Sequence, residues 1–178
     1  DTISHLKALR AIMNETRWNM SALRNLDLSE VSIVEKQETH YLVTVPISQG
    51  IPFEQEIERV VAEAKKYQLK RLHDASYGSI LPVEDLYCGH YHNYSAIYME
   101  LPFTTHRKGL HIQPKGTYLR AFCKGSWDKL PGRYMEILTY AKENRLQFYG
   151  FAYEKGINEL VIDTFDDYIT QIEIPIKA

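Results

Sequence analysis

The chain has 178 residues and a formal net charge of −2, with 44% hydrophobic and 25% charged residues. This length suits one ordinary domain or two small repeated halves, and the composition allows a buried core. No run of about 18 apolar residues is present, which excludes a transmembrane helix, so we expect no membrane partner. The slight negative charge argues against nucleic-acid binding by this chain alone. Two cysteines are too few for a disulfide scaffold and favour the cytoplasm.

Residues 1–24 contain no Gly or Pro, and their apolar side chains recur in steps of three and four. This spacing predicts an amphipathic helix whose narrow stripe is typical of a coiled coil. The stripe comprises Ile3, Leu6, Leu9, Ile12, Met13, Met20 and Leu23. We predict that residues 1–28 form a linker helix through which the full-length protein forms a homodimer. The alternative is a terminal helix that lies across its own domain.

Residues 29–178 are predicted to form an α+β domain in which a strand-strand-helix-strand-strand unit occurs twice. The halves span about 31–102 and 109–176, and the segment 83–93 is predicted to be a polar loop. The predicted strands are 31–35, 41–46, 77–82 and 94–101 in the first half, and 110–113, 118–123, 148–154 and 168–174 in the second. The predicted helices are 52–69 and about 130–143, each with a proline in its first turn.

Three short matches recur in the same order in both halves, which indicates a duplication. They are Tyr41-Leu42 with Tyr118-Leu119, Tyr77-Gly78 with Tyr149-Gly150, and Met99-Glu100-Leu101-Pro102 with Ile172-Glu173-Ile174-Pro175. In two such paired units the helices cover one face of the strands. We therefore expect the other face to form a pseudo-twofold groove, which is a natural place for a ligand.

Thirteen tyrosines stand against six Phe and two Trp, which suits an aromatic binding surface, although half-buried strand positions also favour Tyr. No motif of nucleophilic catalysis, nucleotide binding or zinc proteases is present, and we predict no cofactor. Cys88, His90 and His92 offer three metal-binding groups within five residues. A fourth ligand at a familiar spacing is missing, so we expect a polar loop rather than a metal site.

A predicted coiled-coil helix followed by this repeated unit resembles the C-terminal part of a MerR-family transcription regulator, and the unit is similar to the GyrI-like effector-binding domain. The resemblance is carried by Tyr41-Leu42-Val43-Thr44-Val45-Pro46, Tyr149-Gly150-Phe151-Ala152-Tyr153-Glu154 and Ile172-Glu173-Ile174-Pro175-Ile176. In one departure, Phe151 stands where the family usually has Pro. The resemblance implies a sensor of small-molecule effectors, often aromatic cations, with a DNA-binding domain that precedes Asp1. It also leaves open a small-molecule hydrolase that uses a pocket Glu, or an inhibitor of another protein.

A pocket for a lipophilic cation needs aromatic rings and a carboxylate in a low-dielectric wall. Glu154 suits the carboxylate role because strand alternation places it on the face of Gly150 and Ala152, which leave room for a flat ligand. We expect that face to be the groove, with Tyr149, Phe151 and Tyr153 turned towards the helices. A carboxylate buried there without its cation should have a raised pKa or be hydrated.

Alternation along the other strands predicts that Tyr98 with Glu100, and Gln171 with Glu173, also face the groove. Trp127 lies in a loop before the second helix that could cover the site. The predicted ligand-binding residues are Glu154, Tyr98, Glu100, Tyr118, Trp127, Tyr149, Tyr153 and Glu173. The alternatives are a solvated sheet face for the acids and core positions for the rings.

Overall fold

The computed structural model describes residues 25–67, 76–101, 108–158 and 163–178. The predicted helix over residues 1–24 lies outside these ranges. The described residues form one antiparallel sheet of eight strands with helices packed on it, so the predicted α+β class is confirmed. No helix in these ranges is long and apolar enough to cross a membrane.

Each predicted strand and both predicted helices are present, with shifted ends. The strands are β1 (Ser32–Lys36), β2 (His40–Pro46), β3 (Tyr77–Pro82), β4 (Ala96–Leu101), β5 (His111–Gln113), β6 (Gly116–Lys124), β7 (Phe151–Gly156) and β8 (Ile169–Pro175). The helices are α1 (Phe53–Lys65), α2 (Val83–Tyr87) and α3 (Leu130–Glu143). β7 begins later than predicted because Gly150 has a φ of 69°, which interrupts the extended chain.

The short helix α2 corrects the prediction of a polar loop over residues 83–93. It follows Pro82 and buries Val83 and Leu86 against the core, and its first turn carries Glu84 and Asp85. Acidic side chains in the first turn of a helix interact favourably with the free backbone N–H groups there. A single turn with two apolar positions is too short to give a periodic signal in the sequence.

The sheet order is β1-β6-β8-β7-β3-β4-β2-β5, and each neighbouring pair is antiparallel. The first strand of each half pairs with the other half, and β3 and β7 join the halves at the centre. The strands β1 to β4 of the first half correspond to β5 to β8 of the second half. If each strand is replaced by its counterpart and the sheet is read from its other end, the same order results. This symmetry is compatible with the predicted duplication, which stays a prediction.

Helices α1 and α3 cover the same face of the sheet. Residues directly opposite one another in neighbouring strands share a face, which defines a row across the sheet. The row is Val45, Ile97, Ser79, Glu154, Ile172 and Ala121. Val60 and Ala64 of α1 pack at one end of this row, and Tyr134 and Ile137 of α3 pack at the other. The polar pair Ser79 and Glu154 therefore lies between two helix-covered cores.

The face opposite the helices, expected to form the groove, is filled by its own core. Leu42, Ile80, Tyr98, Tyr118 and Tyr153 are at most 4% exposed and form one cluster there. The sheet curls around this cluster. His111 of β5 is hydrogen-bonded to Tyr153 of β7 at 2.8 Å although three strands separate them, which would place them about 19 Å apart in a flat sheet.

Gly78 is required where β3 pairs with β7. A Cβ atom on Gly78 would lie 2.0 Å from the Glu154 carbonyl oxygen and 2.4 Å from the Tyr98 ring. We expect Gly78→Ala to lower the free energy of unfolding by roughly 1–3 kcal/mol, because backbone and a buried ring must move to admit the methyl group. Urea denaturation measures this loss.

The matched control is Gly132→Ala, in α3, where an added Cβ meets nothing within 4 Å. It should raise the free energy of unfolding by roughly 0.5–1 kcal/mol because alanine favours the helix. A Gly78→Ala variant as stable as the wild type would show that β3 and β7 do not approach one another as described.

Candidate ligand-binding site

Glu154 lies in the middle of β7, at the centre of the helix-covered face, and is 6% exposed. It stands opposite Ser79 of β3 and Ile172 of β8. Two phenols hold its carboxylate. The Tyr94 hydroxyl lies 3.0 Å from each carboxylate oxygen, and the Tyr134 hydroxyl of α3 donates to Oε1 at 2.5 Å.

No cationic side chain of the described residues pairs with Glu154. Burial raises the pKa of Glu154 to about 7, and the hydrogen bonds from Tyr134 and Tyr94 oppose that rise. A raised pKa is what the sequence analysis expects of a buried carboxylate that lacks its cation. At neutral pH the group is therefore close to half ionised and can gain or lose a proton easily.

The other buried glutamates have cationic partners. Glu173 contacts Lys36 Nζ and Arg120 Nη2, each at 2.9 Å, and Glu56 contacts Arg59 Nη1 at 2.8 Å. Burial raises the pKa of Glu173, but Lys36 and Arg120 outweigh it and lower the pKa overall. Glu154 is thus the buried glutamate of the described residues whose charge is left uncompensated.

The structure corrects the predicted orientation of β7. Glu154 and Ala152 do share a face, but this face is covered by α3 rather than open. Tyr153 and Phe151 lie on the opposite face, although they were predicted to face the helices. Alternation fixes which residues share a face, but it does not say which of the two faces the helices cover.

The predicted ring contacts do not surround Glu154. Tyr98, Tyr118 and Tyr153 cluster on the opposite face, where Glu173 is also found and where Glu100 binds His40. The remaining two rings lie elsewhere. Tyr149 is 38% exposed, just before β7, and Trp127 is 41% exposed and packs on Phe53, Phe165 and Tyr168 with centroid distances of 5.2, 5.4 and 6.1 Å. A ligand-binding role for these residues stays a prediction.

Sequence reasoning missed the two tyrosines that hold Glu154. Tyr134 lies on the buried face of α3, and a tyrosine at such a position needs a partner for its hydroxyl, which is the signal the sequence offers. Tyr94 was predicted as the first residue of the strand 94–101, but β4 begins at Ala96 and Tyr94 lies in the irregular segment before it. Tyr91 stacks on Tyr134 with the rings 6.0 Å apart, which extends the aromatic wall.

The surroundings of Glu154 are closed. Thr170 of β8, on the same face as Ile172, has a buried hydroxyl without a hydrogen-bond partner among the described residues. Two surface depressions of about 510 and 530 Å³ run along α3, and Glu154 lines neither of them. Because Glu154 is only 6% exposed, a ligand can contact its carboxylate only if side chains around it move aside, and Tyr94 and Tyr134 are the ones hydrogen-bonded to it.

Within the ranges that the structure covers, no three His, Cys, Asp or Glu side chains are placed to hold a metal ion. His90 instead lies 3.5 Å from Asp85, and Cys88 is exposed. The Glu154 carboxyl group, held by two phenols, offers a charge and a proton. An ionised Glu154 can bind a cation, and a group with a pKa near neutrality can also exchange a proton with a bound molecule.

No protein-family model matches the chain. The regulator of multidrug-efflux transporter 2 from Bacillus subtilis (strain 168) is 23% identical over 98% of this chain. The chain spans 64% of the length of that regulator, less than two thirds.

Two solved proteins share the fold. One is EcmrR, whose complex with DNA matches 99% of this chain and 69% of its own at 14% identity and a TM-score of 0.58. The C-terminal domain of EcmrR alone matches 83% of this chain and 96% of its own at 14% identity and a TM-score of 0.55. The other is a hydrolase from Listeria innocua, which matches 84% of this chain and 92% of its own at 10% identity and a TM-score of 0.55. The similarity to the effector-binding domain of MerR-type transcription regulators, which the sequence predicts, is therefore confirmed.

Proposed function

We propose that this chain is the effector-binding domain of a transcription regulator and that it binds an aromatic or lipophilic cation, with Glu154 as the charge partner. The observation that carries the proposal is a buried carboxylate that, among the described residues, has no cationic partner and is held by the hydroxyls of Tyr94 and Tyr134. The similarity to a multidrug-efflux regulator supports the same class of ligand.

The electrostatics favour a cation over a neutral or anionic ligand. Transfer of an ionised carboxylate into an apolar interior is strongly unfavourable unless a positive charge accompanies it. A bound cation supplies that charge, and the rings of Tyr94, Tyr134 and Tyr91 offer faces to its aromatic or alkyl groups. An anion would meet the same carboxylate and be repelled.

Further partners of the full-length protein are part of this proposal. One solved relative is a complex with DNA. This chain carries a net charge of −2, so we assign DNA binding to another domain of the regulator. Homodimer formation through the helix predicted for residues 1–24, and action in the cytoplasm, complete the proposed role.

A second candidate is hydrolysis of a small electrophilic molecule. The observation that favours it is the pKa of Glu154, which burial raises to about 7 and which suits a general acid or base. The two candidates differ in one measurable respect, because a sensor releases its ligand unchanged and a hydrolase converts it. Product formation that is lost in Glu154→Gln would favour the hydrolase.

Glu154→Gln should weaken the binding of tetraphenylphosphonium, a lipophilic cation, by roughly 1–3 kcal/mol, since it removes the charge but keeps the shape of the side chain. Binding of triphenylphosphine oxide, which has similar rings and no net charge, should be nearly unchanged. Isothermal titration calorimetry of both compounds measures the two effects.

The comparison variant is Glu100→Gln, which removes another predicted ligand-binding acid, on the opposite face. With Glu154 as the charge partner, Glu100→Gln should leave tetraphenylphosphonium binding unchanged. Equal losses for the charged and the neutral compound would show that Glu154 acts through packing rather than charge. A loss of tetraphenylphosphonium affinity in Glu100→Gln alone would show that the binding site lies on the other face of the sheet.

The ionisation of Glu154 should also make stability depend on pH. Its pKa is about 7 in the folded chain against a reference value of 4.5. The folded state therefore binds this proton more tightly than the unfolded state does. The resulting stabilisation of the folded state is fully present below about pH 4.5 and is lost as the pH rises through about 7. Relative to Glu154→Gln, the wild type should lose about 3 kcal/mol of unfolding free energy over this range.

Urea denaturation of both proteins between about pH 4.5 and pH 8 measures this difference. A parallel pH dependence for the wild type and Glu154→Gln would show that Glu154 titrates at its ordinary value, which contradicts a buried and uncompensated carboxylate.

A further inference from the structure

Arg133 of α3 holds the chain segment that leads back to residues 1–24. Its Nη2 donates to the carbonyl oxygens of Leu28, Ser29 and Glu30 at 3.3, 3.1 and 3.2 Å. Its Nε donates to the carbonyl oxygen of Phe122 in β6 at 2.8 Å, and the side chain is only 10% exposed. One guanidinium thus joins α3, β6 and the 28–30 segment.

The segment that Arg133 binds is an ordered turn. Asp27 accepts hydrogen bonds at Oδ1 from the backbone N–H and the hydroxyl of Ser29, at 2.9 and 2.6 Å. The N–H of Glu30 donates to the Asp27 carbonyl oxygen at 3.2 Å. These bonds turn the backbone so that three successive carbonyl groups converge on Arg133. The amides of Ser29 and Glu30 therefore report directly on whether this turn is closed.

Arg133 is the neighbour of Tyr134, which donates to Glu154. Adjacent residues of a helix point about 100° apart, so α3 presents Tyr134 to the sheet and Arg133 to the 27–30 turn from the same helical turn. We propose that α3 couples the Glu154 site to the 27–30 turn, because a shift of the helix that breaks the Tyr134–Glu154 hydrogen bond also loosens the Arg133 clamp.

Through this coupling, ligand binding at Glu154 would change the 27–30 turn. This role of the coupling rests on the proposed function, because it requires that the domain binds a ligand. A cation that reaches Glu154 by displacing Tyr134 shifts α3 and so alters the turn at the end of the linker segment. A ligand shifts such an equilibrium only through its different affinity for the two states, and the coupling is reciprocal between the two sites. The coupling itself is a property of the chain without ligand, so it can be tested independently.

The test compares Tyr134→Phe with Tyr94→Phe in the 178-residue chain without ligand. Each substitution deletes one phenol hydroxyl from the same carboxylate, but only Tyr134 lies on α3. We expect amide hydrogen exchange at Ser29 and Glu30 to be about fivefold faster or more in Tyr134→Phe and unchanged in Tyr94→Phe. In an Arg133→Gln background, where the clamp is already lost, Tyr134→Phe should add no further increase.

Equal effects of the two Phe variants, or unchanged exchange in Tyr134→Phe, would overturn the proposal. A reciprocal measurement uses neither Phe variant, so it still tests the coupling if one of them fails to fold. Arg133→Gln should raise the pKa of Glu154, read from its carboxyl ¹³C shift, because the Tyr134 hydrogen bond lowers it. Lys129→Gln removes a charge from the same region without touching the turn and should leave this pKa unchanged. Equal pKa values in the wild type and Arg133→Gln would also overturn the coupling.

Discussion

The need to place a carboxylate in an apolar interior without a cation shapes the centre of this fold. The row of residues across the sheet is apolar where it packs on Val60 and Ala64 of α1 and on Ile137 of α3, and polar at Ser79 and Glu154 between them, where Tyr134 of α3 meets the carboxylate. Two phenols can stabilise its charge only in part, because hydroxyl dipoles compensate burial less well than an opposite charge does. The pKa near 7 follows from this balance.

The buried glutamates on the two faces of the sheet differ in their partners. On the face away from the helices, Glu173 is matched by Lys36 and Arg120, and aromatic rings fill the space that the curled strands enclose. The ion pairs on that face leave Gln113 Nε2 as a buried polar atom without a hydrogen-bond partner among the described residues. On the helix side, no described residue pairs with the charge of Glu154 or with the hydroxyl of Thr170, so a cation has a charge to supply there.

The order and type of the elements could be predicted because helix and strand periodicities differ and because prolines and glycines mark the ends. Glu154 could also be singled out, since an acid at the end of an aromatic strand is conspicuous, and its role in binding stays a prediction. Its environment could not be predicted, because alternation along β7 leaves open which face the helices cover. Tyr94 and Tyr134 were missed because their role depends on pairing between β7, α3 and an irregular segment far apart in sequence. The ion pairs of Glu173 likewise arise from strand neighbours that only the sheet order reveals.

If a cation binds the ionised form of Glu154, binding must release the proton that this carboxyl group carries, and the number of protons released can be measured. At about pH 6, below its pKa of about 7, most Glu154 side chains carry a proton. Calorimetric titration with tetraphenylphosphonium in two buffers of different ionisation enthalpy gives the number of protons released. We expect nearly one proton released per cation bound by the wild type and none by Glu154→Gln. Binding of the cation with no release of protons by the wild type would contradict it.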